Sequence, residues 1–357
     1  MATDMSALAF LGTNKVGVVN KEIPSAGPCD VVVRTTTSMI CPTDVHTVSG
    51  VFAIPEGRTL GHESVGVVHE IGDQVTGFRE GDRVAVCAIT PCGKCDYCQR
   101  GHSAQCNGML GGYKFTAQKE GALAEYFHVS DADFNLVHVP DALSDEQALY
   151  ASDVLTTGLA GAEAAQVPPG GTLVIVGQGA VGLCATLSAR LLGAGLVITV
   201  ATKADRARMS EKFGADVVLD PRHGDPVDQV KDIVGRDGVD AAIEAVGSRS
   251  TFETCVRVTN AMGTIVNLGY HGEGTTAPLT VPVIPFGLGM SDKTIRAVLC
   301  PGGRERMLRL FRLLRNGRVD PTPMTTHRFG FDDVERAYKM MSNKSDGIIK
   351  PLVTYAW

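Results

Sequence analysis

Cys41, His62 and Asp153 bring a thiol, an imidazole and a carboxylate from separate stretches of the chain. That mixture suits a zinc ion that keeps one position open for a reacting molecule. Cys41 opens Cys41-Pro42-Thr43-Asp44-Val45-His46, and His62 sits in Gly61-His62-Glu63, followed by Gly66 and Gly72 in valine-rich sequence. Glu63 is read as a carboxylate that supports the metal, or that enters its coordination when water or substrate leaves. Thr43 follows the thiol closely enough to take a proton from an oxygen at the metal. A threonine does not keep that proton, so a relay to solvent is needed, and His46 has the titration range for it. Asp153 is a harder ligand than a thiolate and leaves a metal more electrophilic than two cysteines would.

A second set has different chemistry. Cys92-x2-Cys95-x2-Cys98-x7-Cys106 offers four thiolates, with Pro91, Gly93 and Gly101 allowing the chain to turn tightly. Four sulfur ligands leave no open position, so this spacing predicts a structural zinc that organises a lobe. In a long chain without a secretory leader pattern, clustered cysteines point to metal thiolates before disulfides. Cys29, Cys87, Cys184, Cys255 and Cys300 stand singly and are expected to be small buried hydrophobes.

A third set is rich in glycine. Leu173-Val174-Ile175-Val176 reads as a strand, followed by Gly177-Gln178-Gly179-Ala180-Val181-Gly182 and a helical run to about Leu192. A further strand is expected at Leu196–Val200. In that strand–loop–helix–strand context the glycine spacing predicts a dinucleotide-binding turn. Gly177 permits the turn, Gly179 lets the backbone approach a pyrophosphate, and Gly182 allows close packing. Ala180 and Val181 start the helix whose N-terminus attracts the phosphates. The second strand ends in Val200-Ala201-Thr202-Lys203, with Asp205 and Arg206 following. No carboxylate stands at that strand end to hold both ribose hydroxyls. Thr202, Lys203 and Arg206 suit a 2′-phosphate, so NADP is expected before NAD.

The elements that must hold these residues fall into three segments. Residues 1–154 alternate short β-branched runs (Val16–Val19, Val31–Thr37, Ser64–Val68, Arg83–Val86) with Gly and Pro. They predict a β-rich, barrel-like domain, with the cysteine lobe at 91–107. Residues 155–297 alternate strands with helices, the mark of a doubly wound parallel sheet. Residues 298–357 hold amphipathic helices at Arg304–Arg315 and Asp332–Met341 and a last strand at Ile348–Leu352, expected to complete the first domain.

The chain has 357 residues and a formal net charge of -6, without a basic block. That argues against a nucleic-acid partner. No apolar run reaches the roughly 18 residues of a membrane span, and residues 1–5 lack a signal-peptide pattern, so a cytoplasmic protein is expected.

Cys41-x-Thr43-x-x-His46, Gly61-His62-Glu63, the four-cysteine lobe and the Gly177/Gly179/Gly182 loop together resemble the zinc-dependent medium-chain alcohol dehydrogenases, over essentially the whole chain. Asp153, in place of the more usual cysteine, narrows the resemblance to bacterial NADP-dependent secondary alcohol dehydrogenases. So do Gly111-Gly112-Tyr113-Lys114-Phe115, Gly269-Tyr270-His271-Gly272-Glu273-Gly274 and Cys300-Pro301-Gly302-Gly303. The resemblance implies a GroES-like catalytic domain beside a Rossmann domain. It implies reversible hydride transfer between NADP(H) and small secondary alcohols or ketones, with aldehydes as a further class. It places Ala88, Ile89, Leu110, Tyr113, Tyr270 and Leu299 around the substrate, and implies a homotetramer in which Met290 meets a neighbour. Two alternatives stay open: an NAD-dependent alcohol or polyol dehydrogenase, and a catalytically silent NADPH-binding protein.

Overall fold

The computed structural model describes residues 3–235, 237–272 and 278–357, which leaves Glu273 and Gly274 of the narrowing motif outside the described residues. The chain packs as two units, Met1–Thr156 with Cys300–Trp357, and Thr157–Leu299.

The second unit is built on a six-stranded parallel sheet. Its order is Val217–Leu219, Leu196–Val200, Thr172–Val176, Val239–Glu244, Thr259–Asn267, Thr294–Ala297. Side chains alternate across a strand, and the packing follows that alternation. Val174, Val176, Ile198, Val200 and Ala242 pack with Val230, Phe252 and Val256 from the helices Pro226–Val234 and Arg249–Val258. Leu173, Ile175, Val197, Ala241 and Ile243 pack instead with Ala185 and Ala189 of the helix Ala180–Leu191 and with Ala165 of the helix Val154–Ala165. Each fully buried aliphatic side chain is worth about 1.5–3 kcal/mol over exposure, so two apolar faces require two helical layers. Chain order reverses at Thr172–Val176. At such a switch point a crevice opens beyond the carboxyl ends of the strands, and the Gly177 loop follows that strand.

In the first unit, Val31–Met39 is the central strand. It pairs antiparallel with Ser64–Ile71, Lys350–Thr354 and Tyr126–Val129. Arg83–Val86 and Leu136–His138 extend the ladder on one side, and Thr325–Gly330 extends it beyond Lys350–Thr354. The last strand thus joins the first domain's sheet, returning through the helix Val334–Asn343. Among the described residues the pairings form an open path, and no ladder closes its ends into a ring. The hairpin Asp4–Phe10/Val16–Glu22 is a separate two-stranded ladder. The helix Arg304–Arg315 buries Met307, Leu310, Phe311 and Leu314, one stripe at helical spacing. Gly317 follows its end with φ 61°, a left-handed turn that favours glycine.

No disulfide joins the cysteines among the described residues. Cys87, Cys184, Cys255 and Cys300 are buried as expected. Cys29 is not: it is exposed, its Sγ 3.4 Å from Gln74 Oε1, because it lies in the turn that precedes the central strand rather than in the strand. Among the described residues no helix is long and apolar enough to cross a membrane.

Gly66 tests the central ladder. A Cβ added there would lie 2.1 Å from the Arg34 carbonyl oxygen and 2.7 Å from Val33 Cγ1. Gly66→Val is expected to destabilise the zinc-replete protein by about 1–3 kcal/mol, read as a lowered midpoint in scanning calorimetry. Gly330→Ala, where a Cβ meets nothing within 4 Å, should leave that midpoint close to wild type.

Candidate metal centre and cofactor loop

The strand register assembles the first site. Ser38 pairs with Ser64, and the Met39 amide donates to the Glu63 carbonyl at 3.2 Å. The chain leaving one strand at Ile40-Cys41 therefore runs beside the chain entering the other at His62-Glu63. Ser64 also pairs with Val86, and two residues past Val86 the Ala88 amide donates to the Ser152 carbonyl at 2.8 Å. That contact delivers Asp153. Leu352 pairs with Met39, an antiparallel register that brings Lys350 level with Cys41, its Nζ 3.4 Å from the Ile40 carbonyl oxygen.

Cys41 is the N-cap of a short helix, Pro42–Val48, that the β-rich pattern did not predict. Proline at the first helical position suits its missing N–H. Asp44 closes the turn. One of its carboxylate oxygens accepts from the Cys41 amide at 2.9 Å, the other from the Gly61 amide at 3.1 Å. The second oxygen also lies 3.4 Å from His62 Nδ1. Asp44 is fully buried and ties together both segments that carry ligands. Its contact assigns the ring proton to Nδ1 and leaves Nε2 with a lone pair for a metal.

Ligand atoms of Cys41, His62, Glu63 and Asp153 all lie within 4.8 Å of one another. Asp153 Oδ2 is 3.4 Å from His62 Nε2 and 3.5 Å from Cys41 Sγ. Burial pushes the Cys41 thiol up, and burial together with nearby acids lifts Glu63 to about 7 against the pull of Lys350. Burial would also raise Asp153, but the His62 contact wins and holds it well below the usual carboxylate range. Burial disfavours a charged His62, yet Tyr113, Asp44 and Asp153 together raise its proton affinity well above the ordinary value. The set is thus built to surround positive charge. Glu63 Oε1 meets Lys350 Nζ at 2.5 Å, whereas its Oε2 is buried with no hydrogen-bond partner. An orphaned carboxylate oxygen beside a sulfur, a nitrogen and a second carboxylate fits a zinc ion.

The cysteine lobe forms the second set. Ligand atoms of Cys92, Cys95, Cys98 and Cys106 also converge within 4.8 Å. Backbone amides point at the sulfurs: Cys92 N to Cys106 Sγ at 3.2 Å, Cys95 N to Cys92 Sγ and Asn107 N to Cys95 Sγ at 3.3 Å each. Amides of Cys98 and Asn107 pull the Cys95 thiol down to about 6, while burial and the neighbouring Cys95 push Cys98 up to about 12. Amide donors directed at sulfur favour thiolates, the form that binds zinc.

In the other unit the glycine loop is tightly turned and closely packed. Gly177 has φ 94°, and a Cβ on Gly182 would stand 1.9 Å from the Gly177 carbonyl oxygen. A Cβ on Gly179 would meet nothing within 4 Å, so the backbone there faces open space ahead of the helix Ala180–Leu191. That is an approach a pyrophosphate can use.

Residues 27–141 match the alcohol dehydrogenase GroES-like domain family, and residues 180–316 match the zinc-binding dehydrogenase family. An NADP-dependent isopropanol dehydrogenase of Thermoanaerobacter brockii is 42% identical, covering 99% of this chain and 100% of its own. An alcohol dehydrogenase of Cupriavidus necator is 41% identical over 98% of both chains. The chain belongs to the zinc-dependent medium-chain alcohol dehydrogenase family. Among solved structures, a zinc-dependent alcohol dehydrogenase 2 from Streptococcus pneumonia, in apo form, superposes with a TM-score of 0.90 at 31% identity, covering 99% of each chain.

The dehydrogenase places its other expected residues unevenly. Thr43 Oγ1 lies 3.5 Å from Cys41 Sγ, and His46 is exposed on the same helix. Tyr113 meets His62, its OH 3.5 Å from Nδ1 and the two rings edge to face at 5.5 Å. Phe52 packs on Tyr113 at 6.2 Å, a neighbour that no spacing argument singles out. Ala88 and Ile89 are buried in the same unit, whereas Leu110 is 41% exposed. Tyr270 and Leu299 belong to the other unit. There Thr202 and Lys203 are exposed at the end of the second strand, with Lys203 capping the helix Ala204–Lys212. Arg206 is turned partly inward, its Nε 3.7 Å from Asp205 Oδ2, and its side chain is only 15% exposed. Asp44 and Lys350 were not foreseen. The Cys-Pro-x-Asp spacing of a capping box was visible for the first. A lysine inside the apolar run Ile348-Ile349-Lys350-Pro351-Leu352 was visible for the second.

Loss of a carboxylate behind a metal-binding histidine costs about 10- to 100-fold in metal affinity. Asp44→Asn is therefore expected to lose one zinc per chain under a chelator concentration that leaves wild type intact, with the lobe zinc retained. Equal retention of both zincs, measured by native mass spectrometry, would remove Asp44 from the site.

Proposed function

We propose that the chain interconverts small secondary alcohols and ketones with NADP(H), using Cys41, His62 and Asp153 as the catalytic zinc ligands. The observation that carries this reading is the buried convergence of those side chains with the orphaned Glu63 oxygen. Zinc at this position supplies a Lewis acid that lowers an alcohol's pKa and polarises a carbonyl.

The chain's own residues perform the remaining tasks. Thr43, beside Cys41, accepts the hydroxyl proton and passes it on, with His46 as the group that exchanges with solvent. Lys350 compensates Glu63 so that the carboxylate stays beside the metal without adding a full uncompensated charge. Tyr113, Phe52, Ala88 and Ile89 give the substrate an aromatic and aliphatic wall, which sorts alcohols by size and excludes polyols. In the dinucleotide unit, Gly177, Gly179, Ala180, Val181 and Gly182 receive the pyrophosphate. Thr202 and Lys203 receive the 2′-phosphate, and Arg206 adds positive charge to that side. The absence of a carboxylate after Val200 supports NADP, as does the likeness to relatives described as NADP-dependent isopropanol dehydrogenases.

A homotetramer is part of this reading. Met290 is 79% exposed, and Ile284, Val283, Leu288 and Met262 are exposed in the same unit. That apolar exposure supports a contact with a neighbouring subunit.

Initial rates test the substrate and cofactor together. With NADP, propan-2-ol should turn over at least about ten times more efficiently than ethanol, since an extra buried methyl is worth about 1–3 kcal/mol. NADP should exceed NAD at matched concentration. Faster ethanol turnover would redraw the pocket, and faster NAD turnover would redraw the roles of Thr202 and Lys203. Thr43→Ala should keep both zincs and slow hydride transfer in single turnovers; an unchanged rate across pH would remove Thr43 from the relay.

A further inference from the structure

Gln178 stands inside the glycine loop, yet its side chain is buried rather than displayed on the loop's open side. It is 4% exposed, and its amide end lies 3.1 Å from Thr186 Oγ1 and 2.8 Å from Ser210 Oγ. Thr186 belongs to the helix that the loop opens, Ala180–Leu191. Ser210 belongs to the next helix, Ala204–Lys212. Both residues are fully buried.

The hydroxyl protons decide how these groups bond. Thr186 Oγ1 also lies 2.9 Å from the Gly182 carbonyl, which can only accept. Thr186 has one proton, and the carbonyl takes it. Toward Gln178 the Thr186 oxygen is then an acceptor, so the amide must present its NH2 group there. One N–H serves Thr186 and the other serves Ser210. The opposite end of the amide is buried without a hydrogen-bond partner. With the NH2 group facing the hydroxyls, that end is a lone carbonyl oxygen rather than a pair of unsatisfied donors, which is the smaller penalty.

This bridge has a consequence for cofactor choice. Gly182, through Thr186, fixes the far side of the pyrophosphate loop. Ser210 fixes the helix whose N-cap is Lys203 and which directly follows Thr202. We infer that Gln178, acting through Ser210, is a positioning residue that holds the Thr202-Lys203 segment at a set distance from the glycine loop and so sharpens selection of NADP over NAD. The inference rests on the NADP reading proposed above. Gln178 acts here through its contacts to Thr186 and Ser210. Its effect falls on the 2′-phosphate, which needs the loop and the Lys203 segment at once. NAD, which lacks that phosphate, draws less on the Lys203 segment.

Direct binding tests the inference on the full-length, zinc-replete protein. Dissociation constants for NADPH and NADH are measured by fluorescence titration for wild type, Gln178→Met, Ser210→Ala and the double variant, with the thermal midpoint of each. One net hydrogen bond corresponds to about a 3- to 10-fold change in affinity. NADPH binding is expected to weaken by that factor in each single variant, with NADH binding changed less than about 2-fold. The double variant should be no weaker than the worse single one, because both substitutions break the same bridge. Equal weakening of both cofactors, in step with a lowered midpoint, would reduce Gln178 to a packing role and overturn the inference. So would unchanged NADPH binding in Gln178→Met. If wild type itself binds NADH more tightly than NADPH, the NADP reading fails first and the inference falls with it. Ser210→Ala keeps the test decisive if Gln178→Met does not fold.

Discussion

Burial of acidic donors without enough compensating positive charge is the constraint from which the first unit's structure follows. Cys41, His62, Glu63 and Asp153 converge inside it, with Asp44 directly behind the imidazole. Lys350 brings one ammonium, and Glu63 claims it at 2.5 Å. Removing an ionised carboxylate from water costs several kcal/mol unless a partner answers it. One ammonium cannot answer the carboxylates of Asp44, Glu63 and Asp153 together, and a divalent cation fits that excess and would hold Cys41 as a thiolate. The raised proton affinity of His62 reflects the same excess of acidic neighbours, Asp44 and Asp153 among them.

Such a site needs a scaffold that does not relax. The scaffold is the central strand Val31–Met39, paired with three others. Side chains in a strand alternate, so a slip of one residue would turn Cys41 or His62 to the opposite face. Pairing of Ser38 with Ser64, and of Leu352 with Met39, fixes Cys41, His62 and Lys350 together although they lie far apart in the chain. Residues from the C-terminal segment are therefore part of the metal's surroundings. The return of the chain to its first unit is a requirement of the site as much as of the core.

Much of this was legible in the sequence, for identifiable reasons. The cysteine lobe and the glycine loop are local: their chemistry is written in spacing, and a strand before and a helix after the glycines removed ambiguity. Arg304–Arg315 emerged with its expected limits because its apolar stripe keeps one helical period. Cys41, His62 and Asp153 could be paired by donor type, but spacing alone does not show that their atoms meet. The helix at Pro42–Val48 escaped because β-branched residues around it read as strand and its cap is a cysteine, an uncommon choice. Asp44 and Lys350 escaped because their importance lies in long-range contacts that only the strand register creates. Arg206 shows the reverse: its charge and place suggested a partner for a 2′-phosphate, and the structure turns it partly inward toward Asp205.

Zinc stoichiometry is the most direct test of the central claim, because it asks whether the buried set holds the cation that its charges require. Native mass spectrometry of purified protein is predicted to find two zinc ions per chain in wild type. It should find one in Asp153→Ala, with the remaining ion resistant to mild chelation as a closed four-cysteine site should be. Two ions retained in Asp153→Ala, or a single ion in active wild type, would contradict the account.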